Sequence, residues 1–214
     1  MNSPPIPLTD AALARGLRCL SKRDPLLARI LKTIGPPPLW AREPGFPTLL
    51  HIILEQQVSL ASARAAYERL LASAAPLTPQ RFLELEDARL KAVGFSRQKM
   101  TYGRQLAQAV HDGALDLAAL DRLDDATARA ELIKVKGIGR WTADIYLLMA
   151  LRRPDVWPSG DLALAVAVQD IQGLAARPTP NELETISAAW RPWRAVAARL
   201  LWRHYLNRRA ARGR

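Results

Sequence analysis

Two glycines one residue apart, Gly137 and Gly139, stand in the run Val135-Lys136-Gly137-Ile138-Gly139, directly ahead of an apolar helical stretch over residues 140–151. Glycine tolerates positive φ, and without a Cβ it lets backbone N–H groups come close to another molecule. Those N–H groups join the unpaired donors of the helix N-terminus that follows, and such a cluster suits a phosphate. Lys136 and Arg140 add positive charge beside it. About twenty residues further on, Trp157-Pro158-Ser159-Gly160 breaks the chain and delivers one carboxylate, Asp161, at the start of the next helix. On spacing alone Asp161 reads as a helix N-cap, a place where aspartate is favoured. The helix dipole holds such a carboxylate ionised, so capping and an electrostatic role in chemistry are compatible.

The composition points to a polyanion. Lys and Arg number 31 against 20 acidic residues, a net charge of +11, and a charge of that sign is one footprint of nucleic-acid binding. Its distribution sharpens the point: from Trp190 to the end there are eight arginines and no acidic residue. Cys19 is the only cysteine. An internal disulfide and a four-cysteine iron–sulfur cluster are therefore excluded, and a lone thiol fits a reducing cytoplasm. The start, MNSPPIPLTD, has no apolar run that would make a signal peptide or an anchor. No stretch approaches the roughly 20 apolar residues of a membrane span.

The elements that must carry these groups read as helices throughout. A proline-rich arm, residues 1–9, precedes a helix from Asp10 with Leu13, Leu17 and Leu20 on one face. A second runs from about Pro25 to Ile34 and stops at Gly35-Pro36-Pro37-Pro38, because proline cannot donate into a helix. Apolar residues at helical spacing mark 48–56 and 59–72. Further starts are signalled by Thr78-Pro79, Asp87, Ser96, Asp124 and the capping box Thr179-Pro180-Asn181-Glu182. Pro192 opens the last helix. Nine or ten helices and no strand are expected, an all-α fold.

Taken together, Lys136-Gly137-Ile138-Gly139-Arg140-Trp141-Thr142-Ala143, Asp161 at its spacing, Glu55-Gln56-Gln57-Val58-Ser59, Gly94-Phe95-Ser96-Arg97-Gln98-Lys99 and Trp190-Arg191-Pro192-Trp193-Arg194 running on to Trp202 resemble one family. It is the helix-hairpin-helix DNA glycosylase superfamily, in its 3-methyladenine DNA glycosylase II branch of alkylation repair. The resemblance covers roughly residues 45–206. It implies a two-lobed fold with the DNA and active-site cleft between the lobes. One lobe would span about 45–160 with wedge and hairpin; the other would join 10–40 to 161–207, leaving 208–214 as a solvated basic tail. Only some 45 residues precede the matching region, so the β-rich N-terminal domain of the enteric enzyme is expected to be absent.

The resemblance also implies roles. Asp161 would be the catalytic carboxylate, stabilising the positive charge left on deoxyribose as the base departs. Trp141 falls where members that also cut the backbone carry a Schiff-base lysine, so base release without strand cleavage is implied. Trp141 and Trp202, with Tyr146 nearby, would form the base pocket, although a helix-face tryptophan is also an ordinary core residue. A methylated purine is cationic, and a cation over an indole gains about 0.5–2 kcal/mol. Gln57 matches the wedge that fills the gap left by a flipped base; its plain reading is a polar helix end. Lys136, Gly137, Gly139 and Arg140 would contact DNA, and Lys99 either contacts DNA or solvates its helix. The carbonyls of Ile133, Val135 and Gly137 would hold a sodium or potassium ion. His51, His111 and His204 read as structural or surface residues. The expected partner is duplex DNA with alkylated bases, bound by a monomer in the cytoplasm, at the nucleoid. A glycosylase for deaminated or mismatched bases and a non-catalytic DNA-binding protein are the alternatives.

Overall fold

A computed structural model describes residues 6–212, and within them the secondary structure is helical, with no strand. The helices are α1 (Asp10–Arg23), α2 (Pro25–Ile34), α3 (Phe46–Glu55), α4 (Leu60–Ala74), α5 (Pro79–Glu84), α6 (Asp87–Ala92), α7 (Arg97–His111), α8 (Asp125–Ile133), α9 (Arg140–Met149), α10 (Leu162–Gln172), α11 (Pro180–Ser187) and α12 (Arg194–Arg212), with short 3₁₀ turns at Ala119–Arg122 and Ala188–Trp190. That is twelve α-helices among the described residues, more than the nine or ten expected. The short α5 and α6, six residues each, start where Thr78-Pro79 and Asp87 signal a helix, although they are too short to display a 3.6-residue period.

Most helix starts follow local chemistry. The hydroxyls of Thr9, Ser59, Thr78 and Ser96 accept backbone N–H groups in the first turns of α1, α4, α5 and α7. Thr179 and Glu182 form the reciprocal capping box of α11. Some starts differ from expectation by a residue or two, among them α3, which begins at Phe46 rather than Thr48. Glu86, not Asp87, stands at the N-cap of α6, and α12 begins at Arg194, two residues after Pro192.

The chain packs as two compact units. The first is Arg42–Leu151, in which α3 lies at the centre against α4, α7 and α9, and α8 packs on α9. Its core includes Leu49, Leu50, Ile52, Ile53, Phe82, Leu106 and Leu147, all fully buried. Each such side chain contributes about 1.5–3 kcal/mol through removal from water. The second unit, among the described residues, joins 6–41 to 152–212, with α12 packed on α1, α2 and α10. Arg199 of α12 is fully buried yet satisfied: its Nε donates to the Leu39 carbonyl at 2.7 Å and its Nη1 to that of Ala195 at 3.0 Å. Burial lowers its guanidinium to about 10, still charged at neutral pH.

Residues 152–160, expected in the first lobe, belong to the second unit. Ala195 donates its N–H to the Pro154 carbonyl, Arg194 pairs with Asp155 at 3.2 Å, and Trp157 packs on Trp190 at 5.4 Å. The expected solvated tail is also corrected in part. Helix α12 continues through Arg208 and Arg209 to Arg212, and Arg208 pairs with Asp170. Residues 213–214 lie outside the described residues, as do 1–5 of the N-terminal arm. Within 6–9 the arm is irregular but anchored, because buried Leu8 donates its N–H to the Arg152 carbonyl at 2.7 Å. No helix among the described residues is long and apolar enough to cross a membrane.

Candidate active site and nucleic-acid interface

In the first unit, α8 and α9 flank the glycine turn. Val135 and Ile138 are buried, while Lys136, Gly139 and Arg140 face outward. The two glycines are not equivalent. Gly137 adopts φ +99°, and a Cβ there would come within 2.3 Å of the Tyr102 ring. Gly139 has an ordinary φ of −87°, contrary to the expectation of positive φ at both, and a Cβ there would meet nothing within 4 Å. Gly137 is thus required by the fold, whereas Gly139 leaves the N-terminus of α9 open to an approaching group. Asp144, fully buried in α9, accepts from Arg129 of α8 at 2.5 Å and lies 3.7 Å from Arg140. This ion pair locks the two arms of the hairpin together.

The turn after α3 carries Gln57 in the left-handed region, φ +57°, with its side chain exposed. A non-glycine residue held there stores strain of order 1–3 kcal/mol. Its neighbour Gln56 turns inward. Both amide hydrogens of Gln56 Nε2 are used, one on the Gly137 carbonyl and one on Thr142 Oγ1, each at 2.9 Å. The turn with Gln57 and the glycine hairpin are therefore tied directly, 81 residues apart in sequence. Lys99 reinforces the same turn. Its ammonium donates to the Leu54 carbonyl, an acceptor left over at the end of α3, and burial lowers its pKa. That engagement gives Lys99 a structural role at the end of α3.

Trp141, the second residue of α9, remains partly exposed. Tyr146, by contrast, is fully buried, and its hydroxyl accepts the Gly45 N–H at 2.9 Å. It is packed in the core of the first unit. His51, stacked on Tyr67 at 4.1 Å and pushed down in pKa by burial, is structural, as expected.

In the second unit, Asp161 is the N-cap of α10 and is 8% exposed. Its Oδ1 accepts the Leu164 N–H at 3.0 Å and Trp202 Nε1–H at 3.1 Å. The loop before it is braced: the Ser159 hydroxyl donates to Glu184, which also pairs with Arg194 at 3.3 Å. Trp202 is itself only 8% exposed, and its indole N–H is engaged by the carboxylate. Trp190 donates to Asp24, the N-cap of α2, at 2.8 Å. The tryptophan block is thus partly scaffold.

Sequence reasoning missed Gln56, Arg129 and Asp144. The paired glutamines at a helix end and an aspartate inside an apolar helix are visible signals, but neither names its distant partner.

The model of the HhH-GPD superfamily of base excision DNA repair proteins matches residues 50–193. A Bacillus subtilis DNA-3-methyladenine glycosylase is 28% identical over 202 residues, covering 86% of this chain and 65% of its own length. A second Bacillus subtilis relative, YfjP, is 28% identical over 163 residues, covering 72% of this chain and 57% of its own. The chain therefore spans less than two thirds of the length of either. The solved structure of Schizosaccharomyces pombe 3-methyladenine DNA glycosylase Mag1 in complex with abasic DNA is similar at TM-score 0.83 and 27% identity, over 88% of this chain and 95% of that one. With about two thirds of its residues inside the family match, a helical fold in common with Mag1 and a glycine hairpin followed by a braced aspartate, the chain belongs to the HhH-GPD superfamily of base excision DNA repair proteins.

Proposed function

We propose that this chain is a DNA glycosylase that removes alkylated purines from duplex DNA by hydrolysis. The observation that carries the reading is Asp161: a carboxylate held by two donors at the N-terminus of α10, where the helix dipole favours its charge. In the proposed reaction the purine, cationic through methylation at N3 or N7, leaves with the bonding electron pair as a neutral base. Asp161 stabilises the positive charge growing on the sugar. Water adds at C1′, and Asp161 orients it and takes up its proton. The open N-terminus of α9 at Gly139, flanked by exposed Lys136 and Arg140, binds a phosphate. Gln57, exposed on its strained turn, occupies the space vacated when the base is flipped.

In the proposed reading the hairpin carbonyls hold a monovalent cation. Val135 O accepts the Ile138 N–H and Gly137 O accepts from Gln56, and each carbonyl keeps a second lone pair. Ile133, Val135 and Gly137 would together supply such an ion with oxygen ligands, and the ion would fix the hairpin for phosphate binding.

Two outcomes test the reading. In methylated DNA, 3-methyladenine and 7-methylguanine should be released faster than hypoxanthine from a matched duplex, since stacking on Trp141 favours a cationic base. Chromatography of the released bases decides it, and faster release of hypoxanthine points to a glycosylase for deaminated bases. Because residue 141 is tryptophan and supplies no amine, borohydride should trap no covalent protein–DNA adduct on a substrate that is excised. A trapped adduct would refute a purely hydrolytic mechanism.

A further inference from the structure

We propose that Trp202 is a positioning residue that fixes the orientation of the Asp161 carboxylate through its indole N–H. The inference rests on the glycosylase reading above. Two donors converge on Oδ1 from different elements: Leu164 N–H from the first turn of α10 and Trp202 Nε1–H from α12, at 3.0 and 3.1 Å. An N-cap bond alone leaves the terminal carboxylate torsion broad. An indole has a single N–H and donates in one direction, so the second bond selects one plane for the carboxylate.

Both groups are nearly buried, 8% exposed each, where a charge-assisted hydrogen bond is strong. The platform behind Trp202 is anchored as well. Arg199 and Arg203 of α12 donate to the carbonyls of Leu39 and Ile34 at 2.7 and 3.0 Å, holding the helix against the chain around α2. With Ser159 tied to Glu184 on the other side, Asp161 is gripped from its loop, its helix and α12. A buried tryptophan serving only as core would also find its N–H a partner. What sets the proposal apart is that the bond's value is realised in the rate of base release and only while residue 161 is charged.

The test is a double-mutant cycle on a duplex with a single 7-methylguanine, read by single-turnover excision and by equilibrium binding. Trp202→Phe keeps an aromatic ring and removes the donor. Excision should fall about 10–100-fold, the range for losing a hydrogen bond to a charged group, with affinity for the duplex within about twofold of wild type. In an Asp161→Asn background the same Trp202→Phe change should alter excision less than about threefold, because the charge it orients is already gone. An independent reading needs no change at Trp202. In ¹⁵N-labelled protein its assigned indole N–H resonance should shift upfield in Asp161→Asn while the other indole signals stay in place. If wild type releases no base, the proposed function fails. If wild type is active but Trp202→Phe stays within threefold of it, loses the same factor in both backgrounds, or leaves the indole resonance indifferent to Asp161→Asn, the positioning role is overturned.

Discussion

Asp161→Asn should lower single-turnover excision of an alkylated purine by at least about 10²–10³-fold, the usual cost of one well-placed electrostatic contact. The substitution isolates charge from shape. Asparagine caps a helix about as well as aspartate, and its carbonyl oxygen can still accept from both Leu164 and Trp202. Thermal stability should therefore be nearly unchanged. Affinity for the damaged duplex should be equal or higher, since a carboxylate near the DNA backbone repels phosphates before the sugar acquires its charge. Parallel measurement of single-turnover rate, equilibrium binding and melting temperature separates the outcomes. Near-normal excision by the asparagine variant would remove Asp161 from the mechanism and leave it a plain cap.

The second large effect concerns stability and comes from the hairpin. Gly137→Ala should destabilise the first unit by about 2–5 kcal/mol. A side chain at φ +99° is strained, and its Cβ would sit within 2.3 Å of the Tyr102 ring, close to that residue's own backbone. Two residues on, Gly139→Asp should behave in the opposite way. Gly139 has an ordinary φ and open space beside it, and aspartate is a good N-cap, so the denaturation midpoint should hold or rise slightly. Its charge would meet the bound phosphate at a cost of about 1 kcal/mol at 4 Å in water. Duplex affinity should therefore drop about fivefold on damaged and undamaged sequences alike, because phosphate contacts position without specifying. Urea titration and duplex binding of both variants check the pair. A stable Gly137→Ala, or unchanged affinity in Gly139→Asp, would contradict this division of labour.

Much of the fold can be read from the sequence because its helices announce their own ends. Thr9, Asp24, Ser96 and Thr179 accept N–H groups within the first turns of their own helices, so the signal and its effect lie within four residues. The glycine hairpin and Asp161 are readable for the same reason. Side-chain roles set by distant partners are not. Lys99 looks like a solvent-facing cation until the end of α3 presents the Leu54 carbonyl to it. Tyr146 looks like a pocket aromatic until Gly45 takes its hydroxyl. Trp202 lies 41 residues from the carboxylate that it touches. Each of these depends on which faces meet after packing, and helical period alone does not contain that information.

The amide of Gln56 has one more consequence. Because both its hydrogens are committed to the hairpin side, the strained turn bearing Gln57 cannot swing independently of the loop at Gly137. A duplex seated on that loop would find Gln57 at a fixed height against its base stack, like a feeler gauge of constant thickness. On the reading proposed above, discrimination between sound and damaged steps is then left to the duplex. Base pairs that open readily admit the gauge, and those that do not slide past it.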